Sequence, residues 1–234
     1  MRYLYSALFY LLLPIIVVRM LWRSRKAPAY RRRLAERFGF FHGPDSVASD
    51  KVIWVHAVSV GETLAVAPLI EELLDTCPQH QLVVTTTTPT GSERVEALFG
   101  DRVFHVYSPW DMPGAVRRFL SRVRPGLLLV METELWPNML HYTHRSGCGI
   151  VLGNARLSAR SAQGYSRLAS LTRDMLQQLD VVACQSEADG ERLVTLGLPR
   201  PRLQVTGSIK FDIDIDENLR AEVGALKQSL GRPV

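Results

Sequence analysis

The segment Ser59-Val60-Gly61-Glu62 places a carboxylate directly after a glycine. It lies between the apolar run Val52–Val58 and a helical pattern carried by Leu64, Leu69, Leu73 and Leu74. A strand, a glycine turn and a helix start therefore meet at Glu62. Ligands of open α/β sheets bind beyond the carboxyl ends of the strands. A glutamate there is a candidate general base, beside a Gly61 that leaves the backbone open to a substrate. The alternative is a first-turn glutamate favoured by the helix dipole. The dipole would lower its pKa and a dry pocket would raise it.

A second acidic loop, Met131-Glu132-Thr133-Glu134-Leu135-Trp136-Pro137, follows the apolar run Leu127–Met131. Glu132, Glu134 and Trp136 have the makings of a sugar site, with an aromatic face for the ring and acids for its hydroxyls. The alternative is a cap for the helix after Pro137, with Trp136 in the core. Asn154-Ala155-Arg156-Leu157-Ser158 follows a run ending at Leu152. There Arg156 either clamps a carboxylate or phosphate or makes a surface pair. Thr88, Gly91 and Ser92 open another helix, where hydroxyls and backbone N–H groups suit an anion; a plain threonine-rich strand end is the other reading. In Gly207-Ser208-Ile209-Lys210-Phe211-Asp212, Lys210 is a counter-charge for a departing phosphate or a solvated lysine.

Other signals are missing. There is no GxxxxGK[ST], no GxGxxG after a strand, no HExxH and no GxSxG. His141 and His144 stand three apart on a helix with no third ligand in view, which predicts exposed histidines rather than a metal site. Cys77, Cys148 and Cys184 form no CxxC pair and read as small buried hydrophobes in a reducing compartment.

The elements that must position these loops alternate. Strand-like runs at Val52–Val58, Leu82–Thr86, Arg102–Tyr107, Leu127–Met131, Gly149–Leu152, Val181–Cys184 and Leu203–Thr206 are short and rich in Val, Ile and Leu, as strands buried on both faces are. Helical patterns fall near 62–75, 91–98, 111–123, 137–146, 158–178 and 187–196, with Asp111 and Ser158 as helix starts. The alternation predicts an α/β fold with a Rossmann-like parallel sheet. With 234 residues and 47% hydrophobic content there is enough chain for one full domain and an appendage.

That appendage is the N-terminus. Tyr3–Val18 is uncharged and spans about 24 Å as a helix, short of the roughly 30 Å hydrocarbon core. Snorkelling by Arg19 and Trp22 extends it to a span, and a shallow in-plane helix is the other possibility. Residues 1–37 hold nine of the 28 Lys and Arg and one acid, a net of +8, whereas the rest of the chain carries 19 bases and 22 acids, a net of −3. The basic block keeps the body cytoplasmic and draws it to anionic lipid. The mildly acidic body argues against a nucleic-acid surface. After a helical stretch at 218–230 the chain reads Gly231-Arg232-Pro233-Val234, like the entry to a further strand, and a second domain is expected beyond it.

Taken together, Arg25-Lys26-Ala27-Pro28-Ala29-Tyr30, His56–Thr63, Thr88–Ser92, Met131–Asn138, Asn154–Ser158 and Gly207–Asp212 resemble, in order, the Kdo transferases, the 3-deoxy-D-manno-octulosonic acid transferases of lipopolysaccharide assembly. The resemblance implies the N-terminal half of an inverting GT-B glycosyltransferase at the cytoplasmic side of the inner membrane. Such enzymes move Kdo from CMP-Kdo to the lipid A precursor without a metal or other cofactor. It implies that Glu62 is the base, that Glu132 and Lys210 assist the transition state, and that Ser59, Gly61, Thr88, Gly91, Ser92, Glu134, Trp136, Asn154 and Arg156 line the substrate. It divides the chain into a membrane anchor (1–37), an acceptor domain (38–214) and a linker (215–234) to a donor domain. Two rivals are a lipid-linked glycosyltransferase using a UDP-sugar and a non-catalytic module that docks lipid A precursor.

Overall fold

The computed structural model of the chain describes residues 1–25, 28–44 and 51–209. The polar linker at 45–50, Lys210, the helical pattern at 218–230 and the segment 215–234 lie outside them. Seven strands form one parallel sheet: β1 (Val52–His56), β2 (Gln81–Thr86), β3 (Phe104–Tyr107), β4 (Leu127–Met131), β5 (Gly149–Ala155), β6 (Val181–Cys184) and β7 (Leu203–Val205). Their order is β3-β2-β1-β4-β5-β6-β7, with every neighbouring pair parallel.

The helices are α1 (Arg2–Arg23), α2 (Leu34–Arg37), α3 (Val60–Thr76), α4 (Pro89–Phe99), α5 (Pro113–Val123), α6 (Pro137–Arg145), α7 (Ala159–Ser166), α8 (Ala169–Leu176) and α9 (Glu187–Thr195). Alternate residues of β1 face opposite ways. Val52 and Trp54 enter a core with Phe119, Met139 and Leu176 of α5, α6 and α8. Ile53 and Val55 enter a second core with Val66, Ile70, Val95 and Phe99 of α3 and α4. Burial on both faces is why β1 reads as an unbroken apolar run.

Three expectations need correction. The pattern at 158–178 is two helices, because the backbone breaks at Leu168 and the Thr172 hydroxyl donates to the Tyr165 carbonyl (2.8 Å). The break frees α8 to bury Leu171 and Met175, while α7 buries none of its residues. Second, β5 runs past Leu152 to Ala155. A bulge shifts its register, and Asn154 takes a left-handed φ of 53°. Third, Asp111 does not start its own helix, whose N-cap is Met112. It caps α6 from a distance: the N–H groups of Asn138 (3.0 Å) and Met139 (2.7 Å) donate to its carboxylate. Trp136, the N-cap of α6, supplies no side-chain bond, so Asp111 satisfies donors that would otherwise be orphaned. Ser158, by contrast, caps α7 as its sequence suggests.

The N-terminal basic segment is divided. Arg19, Arg23, Arg25, Arg31 and Arg32 are exposed, whereas Arg33 and Arg37 are built into the body. Arg33 donates to Ser92, Glu96 and the His105 carbonyl. Arg37 is 4% exposed and donates to the Thr87 carbonyl (2.8 Å). The following stretch is held on α5 by Arg118 and Arg122, which donate to the carbonyls of Phe38 and Phe41. Gly39 makes that approach possible. Its φ is +79°, and a Cβ there would stand 2.5 Å from the Ala115 carbonyl oxygen. Gly39→Ala should therefore lower stability by more than about 1 kcal/mol, read as a drop in the urea unfolding midpoint at unchanged slope. An unchanged midpoint would mean that this segment does not depend on its contact with α5.

Candidate active site

Strand order reverses between β1 and β4, which are neighbours in the sheet although β2 and β3 intervene in sequence. Loops leaving the carboxyl ends of β1 and β4 turn away from each other and open a crevice, the usual ligand site of such sheets. The loop after β1 carries Ser59, Gly61 and Glu62. The loop after β4 carries Glu132, Glu134 and Trp136. Both acidic segments singled out by sequence thus lie on one rim.

Glu62 sits in the first turn of α3. Ser59 is the N-cap; its hydroxyl accepts from the Glu62 N–H (3.3 Å) and donates to Oε1 of the same residue (2.8 Å). The Val58 N–H donates to Oε2 (2.9 Å). The pattern is close to a capping box, but the carboxylate folds back onto the N–H of Val58, one residue before the N-cap, and onto the Ser59 hydroxyl. The side chain is also largely buried. Glu62 is 7% exposed. Burial pushes its pKa up, the Val58 and Ser59 donors oppose the shift, and the charges of Glu134 and Glu132 add to it. Gly61 has no positive φ, and a Cβ there would meet only the Ser59 hydroxyl, at 3.9 Å. The fold does not demand a glycine at this position.

Glu132 follows β4 with a left-handed φ of 54°, its N–H held by the Gly153 carbonyl (2.9 Å). A non-glycine residue in this region is uncommon, and such residues cluster at functional sites. Asn154, at the end of the adjacent β5, shares the conformation. Glu134 accepts from Trp136 Nε1 (2.8 Å); burial raises its pKa and Glu132 raises it further. The Trp136 ring meets His56 edge to face, with centroids 5.0 Å apart. Trp136 is therefore half-buried in the rim, wedged between a site carboxylate and the end of β1.

Sequence reasoning did not single out His56 or Tyr165. His56 is fully buried. Its Nδ1 lies 2.8 Å from the Thr85 hydroxyl, which also accepts from Trp54 Nε1. Burial pushes its pKa down to about 3, so it is a neutral support behind Trp136. Tyr165 donates to the Thr133 carbonyl (3.4 Å), and its hydroxyl titrates above the usual range through burial and the Glu134 charge. A tyrosine in an amphipathic pattern carries no mark of this contact; only the break between α7 and α8 turns it to the rim.

The remaining residues are distributed along the same edge. Asn154 is buried, and its Oδ1 accepts from the Ile209 N–H (3.2 Å). It lines a cavity of about 640 Å³ with Met131, Gly153 and Ile209. Lys210, next in sequence, lies outside the described residues. Arg156 is exposed, while its carbonyl accepts from the Thr133 hydroxyl and so ties the β5 and β4 loops together. Thr88 caps α4 by accepting from the Gly91 N–H (3.1 Å). Ser92 is buried, its hydroxyl between Arg33 and Glu96. The start of α4 is thus occupied mainly by contacts within the protein. Among the described residues, no group of three His, Cys, Asp or Glu side chains is arranged to hold a metal ion.

Fold and rim together define a class, the Rossmann-like unit of a GT-B-like architecture with its acidic loops at the switch point. The UDP-GlcNAc 2-epimerase of Neisseria meningitidis superimposes over 76% of this chain and 52% of its own, with a TM-score of 0.52 at 14% identity. A second such epimerase, from Listeria monocytogenes, gives 0.51 over 69% and 46%. Residues 32–213 match the family described as 3-Deoxy-D-manno-octulosonic-acid transferase (kdotransferase), and the chain belongs to it. It is 42% identical to the 3-deoxy-D-manno-octulosonic acid transferase of Haemophilus influenzae over 97% of its length and 53% of that protein's. Its identity to the Bordetella pertussis enzyme is 37%, over 95% and 53%. The chain spans about half the length of these relatives.

Gly61→Ala separates a ligand surface from a plain helix start. It should leave unfolding stability within about 1 kcal/mol, since alanine is the better helix former, yet raise the acceptor KM of the full-length protein. Equal KM values would remove Gly61 from the site.

Proposed function

We propose that this chain is the acceptor-side half of a glycosyltransferase that moves Kdo from CMP-Kdo to the lipid A precursor, at the cytoplasmic face of the inner membrane, with inversion. The observation that carries the reading is the placement of Glu62 beside the Glu132–Trp136 loop at the sheet's switch point. A sugar hydroxyl is a weak nucleophile near neutral pH and needs a positioned base. In this reading the Glu62 carboxylate takes the proton as the acceptor oxygen bonds to the anomeric carbon of Kdo. The bond from that carbon to the CMP phosphate breaks, and the phosphate leaves with the electron pair. Burial and two neighbouring carboxylates make Glu62 a stronger base than a free glutamate. The same negative field stabilises the positive character that develops at the anomeric carbon. Lys210 meets the negative charge of the departing phosphate or of the sugar's own carboxylate.

The test is Glu62→Gln in the full-length protein, assayed for transfer from CMP-Kdo with UDP-sugars in parallel. Turnover should fall by roughly two to four orders of magnitude. The wild-type acid limb should lie above pH 4.5, the ordinary glutamate value, because the base must be ionised and its pKa is raised. Near-normal turnover in Glu62→Gln would end the base assignment. It would leave Glu62 only as the cap of α3, which its bonds to Val58 and Ser59 already make it; absence of transfer by the full-length wild type from any of these donors would favour the second reading, a docking module.

Membrane attachment through α1 belongs to the same proposal. This helix is 22 residues long, an 18-residue window of it has a mean hydropathy of 2.1, and 6% of that window is buried. Its N-terminal end is tied to the body. Arg2 (3.0 Å) and Ser6 (3.1 Å) donate to Asn138 Oδ1, and Tyr5 hydrogen-bonds Asp111. At the far end the Arg23 guanidinium lies over the Tyr30 ring, 4.6 Å from its centroid. A crossing helix about 33 Å long would carry Arg2 to the opposite face of the bilayer and break these bonds. We therefore favour a helix lying in one leaflet. Tyr3→Cys in membrane vesicles should react with an impermeant maleimide from the side that bears the body; labelling only from the opposite side would establish a span.

A further inference from the structure

The first residues of α1 close a second cavity, remote from the acidic rim. It has a volume of about 590 Å³ and is bounded by Arg2, Tyr3, His141, His144, Arg145 and Met175. Its charge is one-sided: among the described residues lining it, Asp174 is the one acid, against two arginines and two histidines. Burial, together with the positive charges of Arg2, Arg145 and His144, holds the His141 imidazole below its ordinary pKa. Apart from Asp174 and Tyr3 the ionisable side chains around the cavity are basic, and their charge adds to burial in holding His141 down. Two polar atoms inside the lining are also left over. His141 Nε2 and Gln178 Oε1 are buried without a hydrogen-bond partner, and such groups cost stability unless a ligand or water satisfies them. The floor, from Leu171, Met175 and Pro137, is apolar.

The cavity's position selects among anions. Tyr3 lines it and is 79% exposed. With Leu4 it begins the exposed apolar face that continues through Leu8, Leu11, Ile15 and Val18. A phosphate held here would therefore sit at the edge of a surface suited to acyl chains. Basic pockets beside membrane helices take such headgroups. We propose that this cavity seats the phosphate headgroup of an anionic phospholipid that is neither donor nor acceptor in the transfer reaction. The bound lipid satisfies His141 and the arginines and fixes the N-terminal end of α1 against α6 and α8. The carboxylates of the rim, by contrast, repel such a headgroup.

The proposal rests on the in-plane reading of α1, and two measurements keep the two apart. In the first, the full chain is bound to phosphatidylcholine vesicles with and without phosphatidylglycerol. His144→Gln with Arg145→Gln alters two exposed side chains and should cut the gain from phosphatidylglycerol by roughly fivefold, leaving binding to phosphatidylcholine alone intact. An undiminished gain overturns the proposal. In the second, the His141 ring resonances are followed while short-chain phosphatidylglycerol is added below its micelle concentration, so that no bilayer is needed. They should move with that lipid, and not with short-chain phosphatidylcholine or with equal inorganic phosphate. No movement overturns the site, and equal movement with inorganic phosphate overturns the lipid as its occupant. Failure of the wild type to bind phosphatidylcholine vesicles would count against the in-plane helix alone, because the resonance experiment does not depend on it.

Discussion

The reversal of strand order between β1 and β4 is the constraint on which the site depends. A parallel strand must be followed by a crossover, and the crossovers after β1 and β4 run to opposite sides of the sheet. Their first residues therefore diverge, and the gap between them cannot be filled by either helix. Glu62 stands at one lip of that gap and Glu132, Glu134 and Trp136 at the other. The pKa of Glu62 responds to the charges of Glu132 and Glu134 although they follow a different strand. Close carboxylates of this kind repel one another, and both Glu62 and Glu134 are pushed above their ordinary values, by burial first. The arrangement gathers three acidic side chains at one rim.

That charge is held in place by groups without net charge. His56, neutral because it is buried, packs its ring against Trp136, and Trp136 donates to Glu134. Behind them the Thr85 hydroxyl joins Trp54 and His56 within the core of the sheet. Left-handed backbone at Glu132 and Asn154 adds local strain that the surrounding sheet must offset. Rigidity here comes from ring packing and neutral hydrogen bonds.

The second organising contact is Asp111. One buried carboxylate caps α6 and accepts from Tyr5 of α1. Its pKa is raised to about 6, chiefly by burial. The apolar helix is therefore fastened to the core through the same side chain that completes α6. It lies along the body with an apolar outer face, and the chain re-enters through Arg33 and Arg37, which support the ends of β2 and β3. The apolar helix and the strand-end rim are linked through short, bonded segments rather than through a loose tether.

Much of this was legible in the residues. The strand runs are unbroken stretches of Val, Ile and Leu because both faces of the sheet are covered. Ser59, Thr88 and Ser158 mark helix starts because capping is a contact within four residues. Signals of that range survive in sequence, and so did the acidic loops that follow β1 and β4. The turn of Asn154 into left-handed backbone, the break at Leu168 that brings Tyr165 to the rim, the remote capping by Asp111 and the burial of Arg37 were not legible. The break at Leu168 rests on the bond from Thr172 to Tyr165; each of the others depends on a partner tens of residues away, and no local pattern encodes such a partner. The sequence by itself determined a parallel α/β unit with carboxylates after two of its strands and an apolar helix in front. Only the tertiary structure decided that those strands are neighbours, that the carboxylates share one rim, and that the N-terminal end of the helix is tied to the body, because strand order and docking are set by contacts between segments far apart in the chain.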